Sequence, residues 1–446
     1  VREWDVAVIG AGAAGLMSAI AAARQGARTL LLEKNRRPGV KILMSGGTRC
    51  NITNARGLRS LRAVSGSIDP EYDRTLCRGA RAITQAYGQA MGRFLGSSLR
   101  AFDVDATVQF FEQAGVATKV EGNGKIFPVS DRAADVLDAL MRRLVESGAE
   151  LRTLSPVVDL EAVGESSHRG FYVRAADGEF PVKNVILATG GQSFPGCGTT
   201  GDGYRLAARF GHTIIPPRPA LVPIRVAVPW VKELSGLAVP DAAAVIKSAG
   251  KAILSERREA ILFAHFGLTG PAILDVSREV ARAENPEDIM LECDWIPGRK
   301  SEQLDAHLQS LRTAGQVPVA AHLDLPRRLS DALLAAARIP AQRMAPALTR
   351  EERQRLVRAV KHCRLPVTGT LGFEKAEVTS GGVALDEVDP ATLQSRKQPG
   401  LYLAGEVLDL DGPIGGYNFQ AAWSTGWLAG EQAARQALLK ISPKNL

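Results

Sequence analysis

The chain has 446 residues, 45% of them hydrophobic and 23% charged, with 44 glycines, a net charge of +8 and an isoelectric point near 9.3. That length exceeds one ordinary core and predicts two or three domains, and the composition excludes a disordered or fibrous chain. Aromatics are only 5%, poor material for a base-stacking platform, so the basic balance is read as bound phosphates or an arginine-rich surface, with no specific nucleic acid expected.

The five cysteines, Cys50, Cys77, Cys197, Cys293 and Cys363, are odd in number, widely spaced and without a CxxC pair. This argues against a disulfide framework or a zinc site and predicts a reducing, cytoplasmic setting. The six histidines form no ligand-spaced pair, so no metal is expected. Val6 to Ala23 carries no charge, but Arg2, Glu3 and Asp5 precede it, and Gly10, Gly12 and Gly15 interrupt it. Neither a signal peptide nor a membrane span is expected there, nor a membrane partner elsewhere.

In chain order, the pattern predicts a buried strand at 5–9, a glycine turn, an alanine-rich helix at 13–25 and a second strand at 27–32. Together these make a βαβ unit. Residues 36–54, rich in Gly, Ser, Thr and Asn, read as an ordered loop, and 56–92 carry many arginines with little clear period. Helices are predicted at 105–114 and 133–147, and strands at 150–154, 157–162, 171–175 and 185–188. After a helix at 202–211, the prolines Pro216, Pro217 and Pro219 mark a change of texture. Mixed strands are predicted from 215 to about 298, helices at 301–313, 331–338 and 350–362, a last strand at 400–404, and a last helix from about 417 to 439.

Four glycine segments carry chemistry. Gly10-Ala11-Gly12-Ala13-Ala14-Gly15 is a GxGxxG between strand and helix. Gly10 makes the turn, Gly12 lets a pyrophosphate approach the helix N-terminus, and Gly15 permits close helix–strand packing. Glu33 ends the second strand where a carboxylate bonds a ribose hydroxyl, and its charge argues against a 2′-phosphate. The second segment, Lys41 to Asn51, sets Gly46 and Gly47 beside Ser45, Thr48, Arg49 and Asn51, a set of donors able to follow an anionic ligand. The third, Thr189-Gly190-Gly191, follows a strand. The fourth runs from Gly405-Glu406 to Gly415-Gly416-Tyr417-Asn418, ahead of the last helix, whose N-terminus can stabilise negative charge on a reduced flavin ring.

With KILMSGGTRCNITN at Lys41, FPVSDRAADVL at Phe127, LATGGQSFPGCGTTGDGY at Leu187, HFGLTGPAIL at His265, VTSGGV at Val378 and LYLAGEVLDLDGPIGGYNFQAAWSTG at Leu401, the chain resembles the BaiN-like, HI-type FAD-dependent oxidoreductases. That family includes aminoacetone oxidases and a bile-acid enone reductase, and the matching segments run in order over nearly the whole length. The resemblance implies an α/β fold: a glutathione-reductase-like FAD-binding Rossmann domain interrupted by a β-barrel-like domain and a small helical domain. The expected division is 1–214 and 373–446 for the FAD-binding domain, 215–299 with 363–372 for the β-rich insert, and 300–362 for the helical part. It further implies that Gly10, Gly12, Ala13, Ala14, Glu33, Lys34, Lys41, Ser45, Gly46, Arg49, Cys50 and Asn51 line a non-covalent FAD. Val157 meets the adenine, and Thr189, Gly190 and Gly191 follow the adenosine end. Gly405, Glu406, Gly416, Tyr417, Asn418 and Phe419 lie along the ribityl chain and flavin ring. Thr48 departs from the family, which has a third glycine there, and 55–100 is unusually rich in arginine.

The expected activity is hydride transfer between the flavin and a small organic substrate held between the FAD domain and the insert, by an enone-type reductase or a small-amine oxidase. NAD(P)H is the expected transient reductant. No catalytic residue is evident; Tyr417, His265 and Cys50 are the weak candidates, each with a packing role as the competing reading. An FAD-dependent tRNA-modifying enzyme and a non-catalytic flavin-binding redox sensor are the alternatives, and the oligomeric state is open.

Overall fold

The computed structural model describes residues 3–164, 170–250, 252–313 and 317–439. The chain divides into two compact units, one of residues 1–217 and 377–446, the other of 218–376.

The first unit is built on a mixed sheet. Glu150–Arg152, Thr29–Leu32, Trp4–Ile9, Gly178–Leu187 and Leu401–Leu403 lie side by side, all parallel. Val6, Val8, Leu30, Leu31, Ile186 and Leu403 are fully buried, as expected of parallel strands covered on both faces. The strand Gly178–Leu187 is longer than predicted, because its first half turns back through Gly170–Ala175 and Val157–Val163 as an antiparallel meander. Pro181 in its middle hid that half from a reading by strand propensity.

The helix Ala13–Arg24 is buried continuously from Ala14 to Ala22. It packs against the last helix, Tyr417–Leu438, at backbone distance. A Cβ placed on Gly426 meets the Ala14 carbonyl oxygen at 2.3 Å, and one on Gly430 meets that of Ser18 at 2.3 Å.

The second unit holds a closed six-stranded barrel, in the order Ile224–Val226, Gly267–Thr269, Ile253–Ala264, Ala238–Ser248, Ile289–Asp294 and Cys363–Thr370. Every pairing is antiparallel, and closure leaves no free edge. Helices Ser301–Ser310, Arg327–Ala336 and Arg350–Lys361 belong to the same unit, and their apolar side chains share one core with the barrel.

Four helices correct the sequence expectation. Val40–Thr48 is helical as far as Met44, where a loop was expected, and leaves the helical conformation at Ser45. Gly88–Ala101 and the short Ala80–Ala86 occupy the stretch with little clear period. Gly88, Gly92 and Gly96 disguise the pattern there, yet Gly92 is required, since a Cβ on it falls 2.1 Å from the Thr84 carbonyl oxygen. Pro271–Arg282 lies within the expected strands, with Pro271 in its first turn and Ala272, Ile273, Val276 and Val280 in the barrel core.

The helix crossing yields a prediction. Gly426→Val forces the first and last helices apart, which costs about 1–3 kcal/mol as overpacking. Urea unfolding should show a lower midpoint with an unchanged slope; an unchanged midpoint refutes the close crossing.

Candidate cofactor site at the carboxyl ends of the parallel strands

Register brings the glycine segments together. Ile9 pairs with Leu32 on one side and Leu187 on the other, and Leu187 pairs with Leu403. Gly10, Glu33, Thr189 and Gly405 therefore emerge within two residues of those ends on one edge of the sheet, the edge where open α/β sheets bind ligands.

The three fingerprint glycines have different reasons to be glycine. Gly10 has φ +98°, donates its N–H to Leu32 at 2.8 Å, and leaves only 2.7 Å between a Cβ and the Ala188 carbonyl oxygen. A Cβ on Gly15 falls 1.7 Å from the Gly10 carbonyl oxygen. Gly12 has nothing within 4 Å of the Cβ position. No protein atom excludes a side chain there, and the helix it caps carries neither a side-chain cap nor an acid in its first turn. Free N–H groups and a positive dipole end beside an open cradle suit an anion. Ala13 and Ala14 open that helix.

Glu33 is 7% exposed; its two oxygens accept the N–H groups of Ala11 and Asn35, each at 2.8 Å. It thus fixes the turn, and each oxygen keeps a further lone pair. Lys34 turns to Thr200 and Asp202 at 2.7 and 2.5 Å. Val157 opens its strand, half-buried. Gly190 has φ +73°, and a Cβ on Gly191 falls 2.3 Å from Thr379 Oγ1.

The second segment reaches across the chain. Lys41 Nζ donates to Ser193 Oγ at 2.6 Å and Glu406 Oε2 at 2.8 Å, while Glu406 Oε1 accepts from Ser193 Oγ and the Thr379 N–H. Ser45 closes on Ile42 through its hydroxyl at 2.7 Å. Gly46, Gly47 and Thr48 then take φ of +56°, +66° and +67°. For β-branched Thr48 that conformation is strained, which gives a physical reason for the glycine expected there. Arg49 lies over the Phe127 ring at 3.9 Å and bonds Glu121 at 2.6 Å. Cys50 is fully buried, and burial pushes its thiol up to about 12, so it is a protonated packing group at neutral pH.

Residues 51–54 fasten this loop to the start of the last helix. Asn51, with its amide oxygen toward Gly416, accepts that N–H at 2.8 Å and donates to Thr53. Asn54 Nδ2 donates to the Gly415 carbonyl at 2.9 Å, and Trp423 Nε1 to that of Ile52 at 3.0 Å. Gly416 has φ +92°, and its Cβ position is 2.5 Å from the Thr53 carbonyl oxygen. Asn418 holds its own turn through Gly412 N–H and C=O at 2.8 and 2.9 Å. Phe419 stacks on Trp423 with centroids 5.2 Å apart. Gly416 itself offers no side chain to cap this helix, and no acid sits in its first turn. Gly405, φ +74°, approaches Ala14 and donates to Thr425 Oγ1 at 3.0 Å.

Tyr417 is buried, and its carbonyl accepts the Tyr87 hydroxyl at 2.9 Å. Tyr87 belongs to the arginine-rich stretch, so that stretch packs on the C-terminal glycine segment. His265 is not among these residues. It is exposed, in the turn between two barrel strands of the second unit, against the edge of Phe266.

Residues 4–67 and 74–432 match the HI0933-like protein Rossmann domain. The chain belongs to the HI0933-like family. It is an FAD-dependent oxidoreductase with a Rossmann domain, and the barrel and helices of its second unit complete the mixed α/β fold. This HI0933-like chain is 34% identical to the 3-dehydro-bile acid delta(4,6)-reductase of Clostridium scindens, over 97% of this chain and 99% of that one. It is 33% identical to the ribosomal RNA dihydrouridine synthase of Escherichia coli, over 96% and 97%. In fold it is similar to 3-ketosteroid-delta4-(5alpha)-dehydrogenase from Rhodococcus jostii RHA1, with TM-score 0.50, 15% identity and 97% of both chains covered. Among the described residues, no helix is long and apolar enough to cross a membrane.

One constellation escaped the sequence reading because its members lie far apart in the chain. His212 is 4% exposed; its Nδ1 meets Glu387 Oε2 at 3.1 Å and its Nε2 meets Ser395 Oγ at 2.7 Å. The shape is that of a Ser–His–acid relay. However, Ser395 is itself buried, and its hydroxyl already accepts the N–H groups of Lys397 and Gln398. The three residues clamp the loop 387–398 to the end of the helix Asp202–Arg209. Burial raises the Glu387 carboxyl, but bonds from Lys397, Thr213 and His212 outweigh it and hold the group at about 2. Burial lowers His212, against the opposing pull of Glu387.

Two predictions follow from this geometry. Gly12→Val should fold but lose FAD, whereas Gly15→Val should fail to fold; circular dichroism and the absorbance of released flavin separate them, and a yellow Gly12→Val protein refutes the cradle. The clamp sets the acid limit. A His lowered in the fold stabilises above its ordinary value of about 6.5 and loses that contribution as pH falls through it. Glu387 contributes above the usual carboxylate range and loses its share toward pH 2. The midpoint of thermal unfolding should fall as pH drops below about 6.5, and His212→Gln should flatten that slope. An unchanged slope refutes the clamp.

Proposed function

We propose that this chain reduces a carbon–carbon double bond conjugated to a carbonyl, with a small organic enone as substrate and no specific nucleic acid. One observation carries the reading. The two relatives are named for the same chemistry on different substrates: saturation of a 3-dehydro-bile acid at delta(4,6), and conversion of uridine to dihydrouridine. For a simple enone or a uracil ring, such chemistry places a hydride on the carbon β to a carbonyl and a proton on the α-carbon.

The residues fit the cofactor such chemistry needs. Bound FAD supplies the hydride. Gly10, Gly12, Ala13 and Ala14 take the pyrophosphate in this reading, and Glu33, Lys34, Val157 and Thr189–Gly191 take the adenosine end. Lys41, Ser45, Gly46, Arg49, Asn51, Gly405, Glu406 and Gly416–Phe419 run toward the ring, where the uncapped last helix steadies negative charge. Cys50 contributes its backbone rather than its shielded thiol. The five free thiols fit a reducing cytoplasm, and a nicotinamide is the proposed transient reductant.

A second reading takes a uracil within RNA as the enone. It is favoured by Arg62, Arg74, Arg78, Arg81, Arg93 and Arg100, which are all exposed on the stretch 55–100, together with the E. coli relative.

Stopped-flow absorbance separates the possibilities. The anaerobic holoenzyme should bleach with NADH or NADPH and recover its colour on mixing with an enone. Recovery only with a uracil-containing ribosomal RNA transcript selects the second reading. Bleaching by an amino ketone, with peroxide formed in air, overturns both in favour of an amine oxidase.

A further inference from the structure

The segment 55–77 places a cluster of reactive side chains beside the start of the last helix. The Tyr72 hydroxyl and the Cys77 thiol are 3.7 Å apart, within hydrogen-bonding reach for sulfur, and the thiol donates to the Ala55 carbonyl at 3.3 Å. Of the five cysteines, Cys77 alone is not buried. Tyr72 lies behind it, 4% exposed. Arg56 is half-buried, and its Nε is shielded with no hydrogen-bond partner among the described residues. Arg56 and Tyr417 both act electrostatically on Tyr72.

The cluster is tied to the C-terminal glycine segment through one side chain. Asn54 Oδ1 accepts the Arg56 N–H at 3.1 Å, and its Nδ2 donates to the Gly415 carbonyl at 2.9 Å. A shielded guanidinium nitrogen with no partner is costly unless something else completes it. Its planar fork of donors matches a carbonyl or enolate oxygen.

We propose that Arg56, Cys77 and Tyr72 form the acid side of the reduction: Arg56 receives the carbonyl oxygen of the conjugated substrate, Cys77 gives the α-carbon its proton, and Tyr72 positions the thiol. The proposal rests on the double-bond reductase reading. As the hydride bonds to the β-carbon, the π pair moves onto the carbonyl oxygen and the resulting enolate lies against the Arg56 guanidinium. The Cys77 S–H bond then breaks, the α-carbon takes the proton, and the carbonyl re-forms. Water reprotonates the thiolate, which meanwhile accepts the Tyr72 O–H. Burial, with smaller contributions from Cys77 and Tyr417, raises the Tyr72 hydroxyl, so it stays protonated and able to donate. The two electrons come from the reduced cofactor, itself recharged by a nicotinamide.

The test isolates the oxidative half-reaction. Holoenzyme reduced with dithionite is mixed anaerobically with an enone. Cys77→Ala and Arg56→Met should recover their colour roughly 100-fold more slowly than wild type, with FAD content and dithionite reduction unchanged. Arg56→Lys should recover part of the rate. Tyr72→Phe should move the pH profile. A readout independent of turnover is the rate of iodoacetamide alkylation of Cys77 in the holoenzyme at one fixed pH, followed by mass spectrometry. Tyr72→Phe and Arg56→Met should both change that rate, since each removes a side chain beside the sulfur. Wild-type recovery with unaffected Cys77→Ala and Arg56→Met variants overturns this assignment and leaves the reductase reading intact. An alkylation rate that neither variant changes overturns the cluster. A wild type that no enone or uracil re-oxidises overturns the reductase reading and the assignment with it.

Discussion

Two helices can touch at backbone distance only where one of them carries no side chain at the contact, and the architecture of the first unit depends on that constraint. The last helix crosses the first with Gly426 over Ala14 and Gly430 over Ser18. The crossing lies ten residues from the start of the last helix at Gly416, or about 15 Å along its axis, and only two from the first helix's cap at Gly12. One contact therefore fixes where both uncapped N-termini stand. A larger residue at either glycine would move one positive end relative to the other. Gly405, pressed against Ala14 from the neighbouring strand end, ties the same point to the sheet.

What holds the loop between these ends is polar and long-range. Lys41 bonds Glu406 across 365 positions in sequence, and Asn54 bonds the Gly415 carbonyl across 361. Such pairs satisfy buried groups that would otherwise cost more than the bond itself contributes. They also make the two glycine segments one object: loosening Asn51–Asn54 releases the start of the last helix. This is why the arginine-rich stretch matters, since Tyr87 reaches the C-terminal segment from it, as Asn54 does from just ahead of it.

The sequence was legible where information is local. The strand–GxGxxG–helix–strand–Glu33 unit could be read because periodicity, glycine spacing and an acid all fall within 33 residues. The family resemblance carried the barrel and the helices, which no single motif specifies. What stayed hidden was of two kinds. The helix Gly88–Ala101 was masked by three glycines, one of which, Gly92, a neighbouring helix requires, a tertiary demand overriding propensity. The His212–Glu387–Ser395 clamp, the Lys41–Glu406 pair and the Arg56–Tyr72–Cys77 cluster are assembled by folding from residues whose types are ordinary. The weak nomination of Cys50 shows the same limit: its spacing in a donor-rich loop is suggestive, but burial decides its chemistry, and burial is not written in spacing.

The fingerprint itself shows how a fold distinguishes structural demand from functional demand. Three glycines look equivalent in sequence, yet the chain's own atoms exclude a side chain at Gly10 and Gly15 and do not at Gly12. A residue kept small where the protein leaves room is answering to something other than packing. The same logic applies to Arg56. Most of the chain's charged groups near this loop have partners: Lys34 has Asp202, Lys41 has Glu406, and Arg49 has Glu121. The Arg56 Nε, shielded and without a partner among the described residues, is an incomplete interaction two residues from the Asn54 that bonds Gly415, and an incomplete interaction of this kind is what motivates assigning it a ligand.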